Sequence, residues 1–218
     1  MAITKNRKME IVKNSYYLYV AFMLLDFIHE NCITMKLANA SFNVTFATQT
    51  IGKTLALVVM WFCFRSLLDK SERYLRNCSL LLIIGEIAGS GVELWYTSKA
   101  KLLENWTADT ASDSSVFIMF ICLLLAMLAL FIPFIMGIRL FRRNHGELRV
   151  LGKALIISFM SFMLEIITAV AEEVDTTVLG TDSLGITIIK ILNSVATTAA
   201  LLYVVYMLRR ACIWLQRR

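Results

Sequence analysis

Three carboxylic acids lie deep inside long apolar runs of the sequence. Asp26, Glu86 and Glu165 each fall about eight to twelve residues into such a run, which at ~1.5 Å of helix rise per residue places them at similar depth. Three carboxylates that are close together in a medium of low dielectric constant cannot all be ionised. We therefore predict that they bind protons or hold a cation in common, as a shared site near the middle of a membrane.

A second set of polar residues lies nearer the ends of the same runs and is predicted to form the outer vestibule of this site. Its members are His29, Glu30, Glu93, Glu172, Glu173, Lys53 and Lys190. Within each run the acids are spaced by four or seven residues, so that they share one face of a helix. Polar stripes on several helices can all avoid the lipid and find polar neighbours when they face one common interior of the helix bundle.

Two structural interpretations compete with a functional site. In the first, Lys53 and Lys190 pair with outer acids as buried salt bridges, although seven acids outnumber these two lysines. In the second, the three central acids each hydrogen-bond separately, as neutral groups, to different neighbours. A charged residue at the centre of a membrane helix costs about 2.5–3.5 kcal/mol on the insertion scale, and such residues by default mark a functional site.

The elements that must position these residues are membrane helices. Of the 218 residues, 58% are apolar and 17% are charged, whereas a soluble domain carries roughly 45–50% apolar and about a quarter charged residues. Six apolar runs are each long enough to cross a bilayer. We predict an all-α, polytopic membrane protein, a six-transmembrane-helix bundle that forms a single integral membrane domain over residues 1–218. The spans are predicted near residues 15–34, 47–68, 78–97, 115–138, 154–175 and 185–208.

Two local features predict how these helices pack. Gly85 and Gly89 form a small-x-x-x-small pair, which lets a neighbouring helix backbone approach the third helix closely. Pro133 lies about one turn from the inner end of the fourth run, where a proline kinks or breaks a helix.

Basic residues give the orientation. The N-terminus, the second and fourth connections and the C-terminal tail contain 17 of the 22 lysines and arginines, and the other connections contain 3. Because basic segments near span ends stay in the cytoplasm, both termini are predicted to be cytoplasmic, in a plasma or inner membrane. The same residues predict contact with anionic lipid at the cytoplasmic face. They account for the net charge of +6 without a nucleic acid partner.

The expected function is that of a small membrane transporter or channel-like protein for protons, metal cations or a cationic solute. The alternative is a non-transporting membrane subunit whose buried charges fix helix packing. An intramembrane enzyme with carboxylates as acid and base ranks third, because no G-x-S-x-G, H-E-x-x-H or P-loop motif occurs. No cofactor is expected, and the identity of any metal is left open. The expected partners are the bilayer, protons or cations, and either a second copy or another membrane protein.

Overall fold

The computed structural model describes residues 5–28, 42–104, 114–174 and 184–217. Throughout these ranges the chain is helical, apart from short turns, and contains no strand. The helices are α1 (Lys5–Ile28), α2 (Phe42–Leu67), α3 (Arg73–Glu104), α4 (Ser114–Leu130), α5 (Ile132–Arg143), α6 (Glu147–Val174) and α7 (Leu184–Arg217). The predicted all-α class is confirmed for this part of the chain.

Five stretches of the described chain are long and apolar enough to cross a membrane, which is consistent with an integral, multi-pass membrane protein. They are Ala47–Leu67, Arg73–Trp95, Phe120–Arg143, Glu147–Thr168 and Ile191–Arg217. The predicted first span, near residues 15–34, extends beyond the end of the described part of α1. Six spans and cytoplasmic termini therefore stay predictions.

The chain divides into two compact units. One holds α1 to α4 together with the end of α7 from Cys212, and the other extends from Pro133 to Ala211. The single integral membrane domain over residues 1–218 stays a prediction.

In the first unit, each helix packs against the next along the chain: α1 against α2, α2 against α3, and α3 against α4. The apolar side chains at the centre of this unit are almost wholly removed from solvent, among them Val12, Met60, Phe64 and Leu75. Lys8 Nζ donates a hydrogen bond of 3.3 Å to Ser66 Oγ, which links α1 to the end of α2. Because Lys8 is near the start of α1 and Ser66 is near the end of α2, these two helices are antiparallel.

Glycines allow two of these helix pairs to approach closely. A Cβ atom added at Gly85 would overlap the Cβ of Ala129, and one added at Gly52 would overlap the ring of Phe22. The close approach predicted for the third helix is therefore confirmed, and its partner is α4. A glycine also allows α1 and α2 to approach closely, since the ring of Phe22 packs directly on Gly52.

The second unit is built on a tight hairpin of α5 and α6. Gly137 and Gly152 face each other, and a Cβ at Gly152 would lie 2.7 Å from the carbonyl oxygen of Gly137. Gly146 forms the turn with a φ of 61°, a left-handed conformation that glycine adopts without steric cost. The rings of Phe134 and Phe159 stack 4.9 Å apart further along the pair. Two helices in backbone contact form a rigid support for the turn that joins them.

The fourth predicted span, near residues 115–138, is not one continuous helix. It is interrupted at Phe131, between α4 and α5. Pro133 explains the interruption, because proline has no N–H to donate to the carbonyl of Ala129 and its ring would clash with that carbonyl. The sequence predicts a kink at Pro133, and the structure shows an interruption of the helix there. The two helices together still make one stretch long enough to span a membrane.

Candidate functional site

A polar strip lies between α2 and α3 of the first unit, which we call the α2–α3 seam. On α2 it comprises Lys53 and Thr54, and on α3 it comprises Glu86, Ser90 and Glu93. The hydroxyls of Thr54 and Ser90 are hydrogen-bonded to each other, which fixes the register of the two helices. Glu86, Ser90 and Glu93 follow the i, i+4, i+7 spacing of one helix face. The hydrogen bond therefore marks the face of α3 on which both carboxylates lie.

The charges of this seam do not balance. Glu86 is partly buried and interacts electrostatically with Lys53 and with Glu93. One lysine beside two carboxylates leaves an excess of one negative charge among the described residues. Inside a membrane such an excess is costly. It is removed when a proton or a cation binds.

Two oxygen atoms of α2, one turn before the seam, are buried without a hydrogen-bond partner among the described residues. They are Gln49 Oε1 and Thr50 Oγ1, whose residues are 6% and 0% exposed. Buried polar atoms normally bond to protein or to ordered water. Amide and hydroxyl oxygens are also ligands for hard cations. These atoms lie one turn of α2 from Lys53 and Thr54, at the edge of the charged part of the seam.

A second polar strip, the α6–α7 seam, lies within the second unit. It comprises Ser161, Glu165 and Thr168 on α6, and Asn193 and Thr197 on α7. Asn193 Nδ2 donates a hydrogen bond of 2.5 Å to Thr168 Oγ1. Thr197 Oγ1 donates a bond of 3.4 Å to the carbonyl oxygen of Ser161. Buried polar side chains thus join the two helices at two levels.

Glu165 lies between these two levels. Ser161, Glu165 and Thr168 are at positions i, i+4 and i+7, so they share one face of α6. Both of the outer two bond to α7, which places Glu165 on the face toward that helix. The side chain is partly exposed, and within the described part of the chain no hydrogen bond or ion pair satisfies its carboxylate. The seam therefore holds an acid that is open to a proton or a cation.

The predicted site residues fall into three groups. Glu86, Glu93 and Lys53 lie together in the α2–α3 seam, and Glu165 lies in the α6–α7 seam. The remaining predicted residues have side chains outside the described ones, and nothing follows for their roles. They are Asp26, His29, Glu30, Glu172, Glu173 and Lys190. The shared site of Asp26, Glu86 and Glu165 stays a prediction.

A metal centre is not formed by the described residues alone. No group of three His, Cys, Asp or Glu side chains among them is placed to hold a metal ion. Beside the predicted residues, the α2–α3 seam contains the hydroxyl oxygens of Thr54 and Ser90. The buried oxygens of Gln49 and Thr50 lie one turn away on α2. Thr50 is not among the predicted site residues. Its i, i+4 spacing from Thr54, beside Lys53, is the signal in the sequence that could have identified it.

The fold and the two seams define a class of protein. In its described residues the chain is helical apart from short turns, and five stretches are long and apolar enough to cross a membrane. Polar side chains meet between helices in both seams. No protein-family model, curated protein or solved structure matches this chain.

Proposed function

We propose that the protein is a small membrane transporter or channel-like protein that moves protons or cations through acidic sites between its helices. The observation that carries the proposal is the position of Glu86. It lies within the candidate span Arg73–Trp95, beside a second carboxylate and a single lysine. Ionisable residues inside membrane helices face an interior or a wet cavity and mark ion pathways or proton relays.

The charge of the α2–α3 seam narrows the substrate class. Lys53 balances one of the two carboxylates, Glu86 and Glu93, so one further positive charge makes the described seam neutral. A proton or a monovalent cation supplies that charge, whereas a divalent cation leaves the seam with a net positive charge. We therefore favour protons, or a monovalent metal or organic cation, as the transported species. The unpartnered oxygens of Gln49 and Thr50 would serve as further ligands.

The α6–α7 seam would supply a second site. Glu165 shares one face of α6 with Thr168, whose hydroxyl accepts a hydrogen bond from Asn193 of α7. Transport requires sites that bind an ion well enough to admit it and weakly enough to release it. Glu86 and Glu165, each in its own seam, are proposed as two such sites. The proposal retains six spans with both termini in the cytoplasm of a plasma or inner membrane.

A second candidate function is that of a non-transporting membrane subunit. The observation in its favour is that both seams contain direct hydrogen bonds between helices, one between the hydroxyls of Thr54 and Ser90 and one from Asn193 to Thr168. Polar side chains in membrane bundles commonly act as such links between helices. In this case the carboxylates would fix the packing or receive a helix of another protein, and no ion would cross the membrane.

Flux in proteoliposomes tests the proposal. The parent, Glu86→Gln and Glu165→Gln are reconstituted at equal density, and uptake of protons, Na⁺ and K⁺ is followed with an imposed gradient. We expect flux in the parent and its loss in both variants, because glutamine keeps the volume of glutamate and removes the charge. Glu147→Gln is the matched control, since Glu147 lies outside both seams and pairs with Arg210. A parent indistinguishable from empty liposomes would favour the subunit.

A further inference from the structure

Exposed basic side chains cluster around the turn between α5 and α6, next to the close contact of these two helices. We call its members the basic turn: Phe141, Arg142, Arg143, Arg149 and Lys153. Arg149 Cζ lies 4.9 Å from the centroid of the Phe141 ring, and Lys153 Nζ lies 5.5 Å from it. A Cβ at Gly152 would lie 2.7 Å from the backbone nitrogen of Phe141. The close contact of α5 and α6 therefore holds the ring and both cations in place.

The basic turn lacks a compensating acid. Residues 139–153 contain five lysines and arginines and one acid, Glu147. Glu147 is already paired, because Arg210 Nη2 lies 2.5 Å from its Oε1. Arg149 and Lys153 are four residues apart on one helix, a spacing at which like charges repel. No carboxylate forms an ion pair with either of them within the described part of the chain. An anion bound between them would relieve this repulsion.

The position of the basic turn indicates where that anion comes from. The turn joins two candidate membrane spans, Phe120–Arg143 and Glu147–Thr168. Arg149 and Lys153 lie about 3 and 9 Å along α6 from its start, at 1.5 Å per residue. Long basic side chains at such depths extend to the level of the lipid headgroups. All four basic side chains of the turn are exposed.

We propose that the basic turn binds the phosphate of an anionic lipid headgroup. Arg149 and Lys153 hold the phosphate beside the Phe141 ring, and Arg142 and Arg143 lie at its edge. Arginine binds phosphate oxygens through paired N–H groups, and lysine acts as a point charge. The site differs from a general attraction of the basic surface to anionic lipid, because it depends on two named side chains of α6. It is independent of the acidic seams.

Lipid titration of the purified protein tests this site. Phosphatidylglycerol or phosphatidylcholine is added to the full chain in detergent, and the bound lipid is counted by native mass spectrometry. We expect selective binding of phosphatidylglycerol to the parent. The double variant Arg149→Gln/Lys153→Gln should weaken it about thirtyfold, from the contribution of each basic residue near anionic lipid. Each single variant should weaken it by about fivefold.

The matched control is Lys70→Gln/Arg73→Gln, which removes two exposed charges from the turn between α2 and α3. It should weaken the binding of phosphatidylglycerol clearly less than the α6 double variant does, since its two charges add only to the general attraction of the basic surface. An equal loss in the control, or parent-like binding by the α6 double variant, would overturn the proposal. Inorganic phosphate at millimolar concentration should not displace the lipid, and complete displacement would overturn the assignment to a lipid. All variants are first shown to unfold at the parent's temperature, and the single variants replace the double variant if it does not.

Discussion

The close contact of α5 and α6 leads us to expect opposite changes in stability when two glycines, Gly152 and Gly91, are each replaced by alanine. At Gly152 a new Cβ would lie 2.7 Å from both the carbonyl oxygen of Gly137 and the backbone nitrogen of Phe141, well inside the 3.4 Å at which ordinary contact begins. Both are backbone atoms, so no change of side-chain rotamer relieves the overlap and the helices must move apart. At Gly91 a new Cβ would meet nothing within 4 Å.

The magnitudes follow from two competing effects. Alanine is favoured over glycine in a helix by about 1 kcal/mol, and this gain applies to both sites. Overpacking costs typically about 1–3 kcal/mol, and the rigid backbone of the α5–α6 hairpin places Gly152 in the upper half of that range. We therefore expect Gly152→Ala to lower the free energy of unfolding by about 1–2 kcal/mol. Gly91→Ala should raise it by up to about 1 kcal/mol.

Equilibrium unfolding in mixed micelles, followed by far-UV circular dichroism as SDS is titrated, measures both changes against the parent. The two variants add the same methyl group to a helical glycine, so a difference between them reports the local packing. If Gly152→Ala is as stable as Gly91→Ala, the backbones of α5 and α6 are not in contact at Gly152.

Two further predictions concern the charges and the topology. Lys53→Met should lower the free energy of unfolding by about 1–3 kcal/mol, because it removes the positive charge that interacts with the partly buried Glu86. Adding Glu86→Gln should recover much of this loss in the same SDS titration. A Lys53→Met variant as stable as the parent would contradict this interaction. In a background without reactive native cysteines, an impermeant thiol reagent added outside intact cells should not label a cysteine at Asn144 and should label one at Thr181, whereas labelling at Asn144 would reverse the predicted orientation.

Features that depend on the geometry of a single helix could be predicted from the sequence. The i, i+4, i+7 spacing of Glu86, Ser90 and Glu93 predicted a stripe on one face, and the structure places Ser90 of that stripe against α2. Gly85 predicted a close neighbour, and Ala129 is that neighbour. Periodicity within a helix is enough for such predictions, because the helix geometry is known in advance.

Features that depend on which residues of two neighbouring helices face each other could not be predicted from the sequence. Gly137 and Gly152 face each other across the turn at Gly146, and no periodic pattern in either helix connects them. The positions of Arg149 and Lys153 on the Phe141 ring depend on the same register, so the sequence showed only basic residues that orient the chain. Helix ends also differ from the predicted spans, since α3 (Arg73–Glu104) extends past the apolar run at 78–97 on both sides. Hydropathy identifies only the apolar segment that can lie within the hydrocarbon of a membrane. The helix itself can extend beyond that segment, because its backbone hydrogen bonds also form outside the hydrocarbon.

The pH dependence of cation flux tests the central claim most directly. If Glu86 and Glu165 bind the transported cation, protons compete for the same carboxylates, and flux through the parent in proteoliposomes should fall as the pH is lowered. Glu86→Gln and Glu165→Gln should each abolish this flux at every pH, while Glu147→Gln should reproduce the parent's profile. Flux that is independent of pH, or that persists unchanged in both seam variants, would contradict the account.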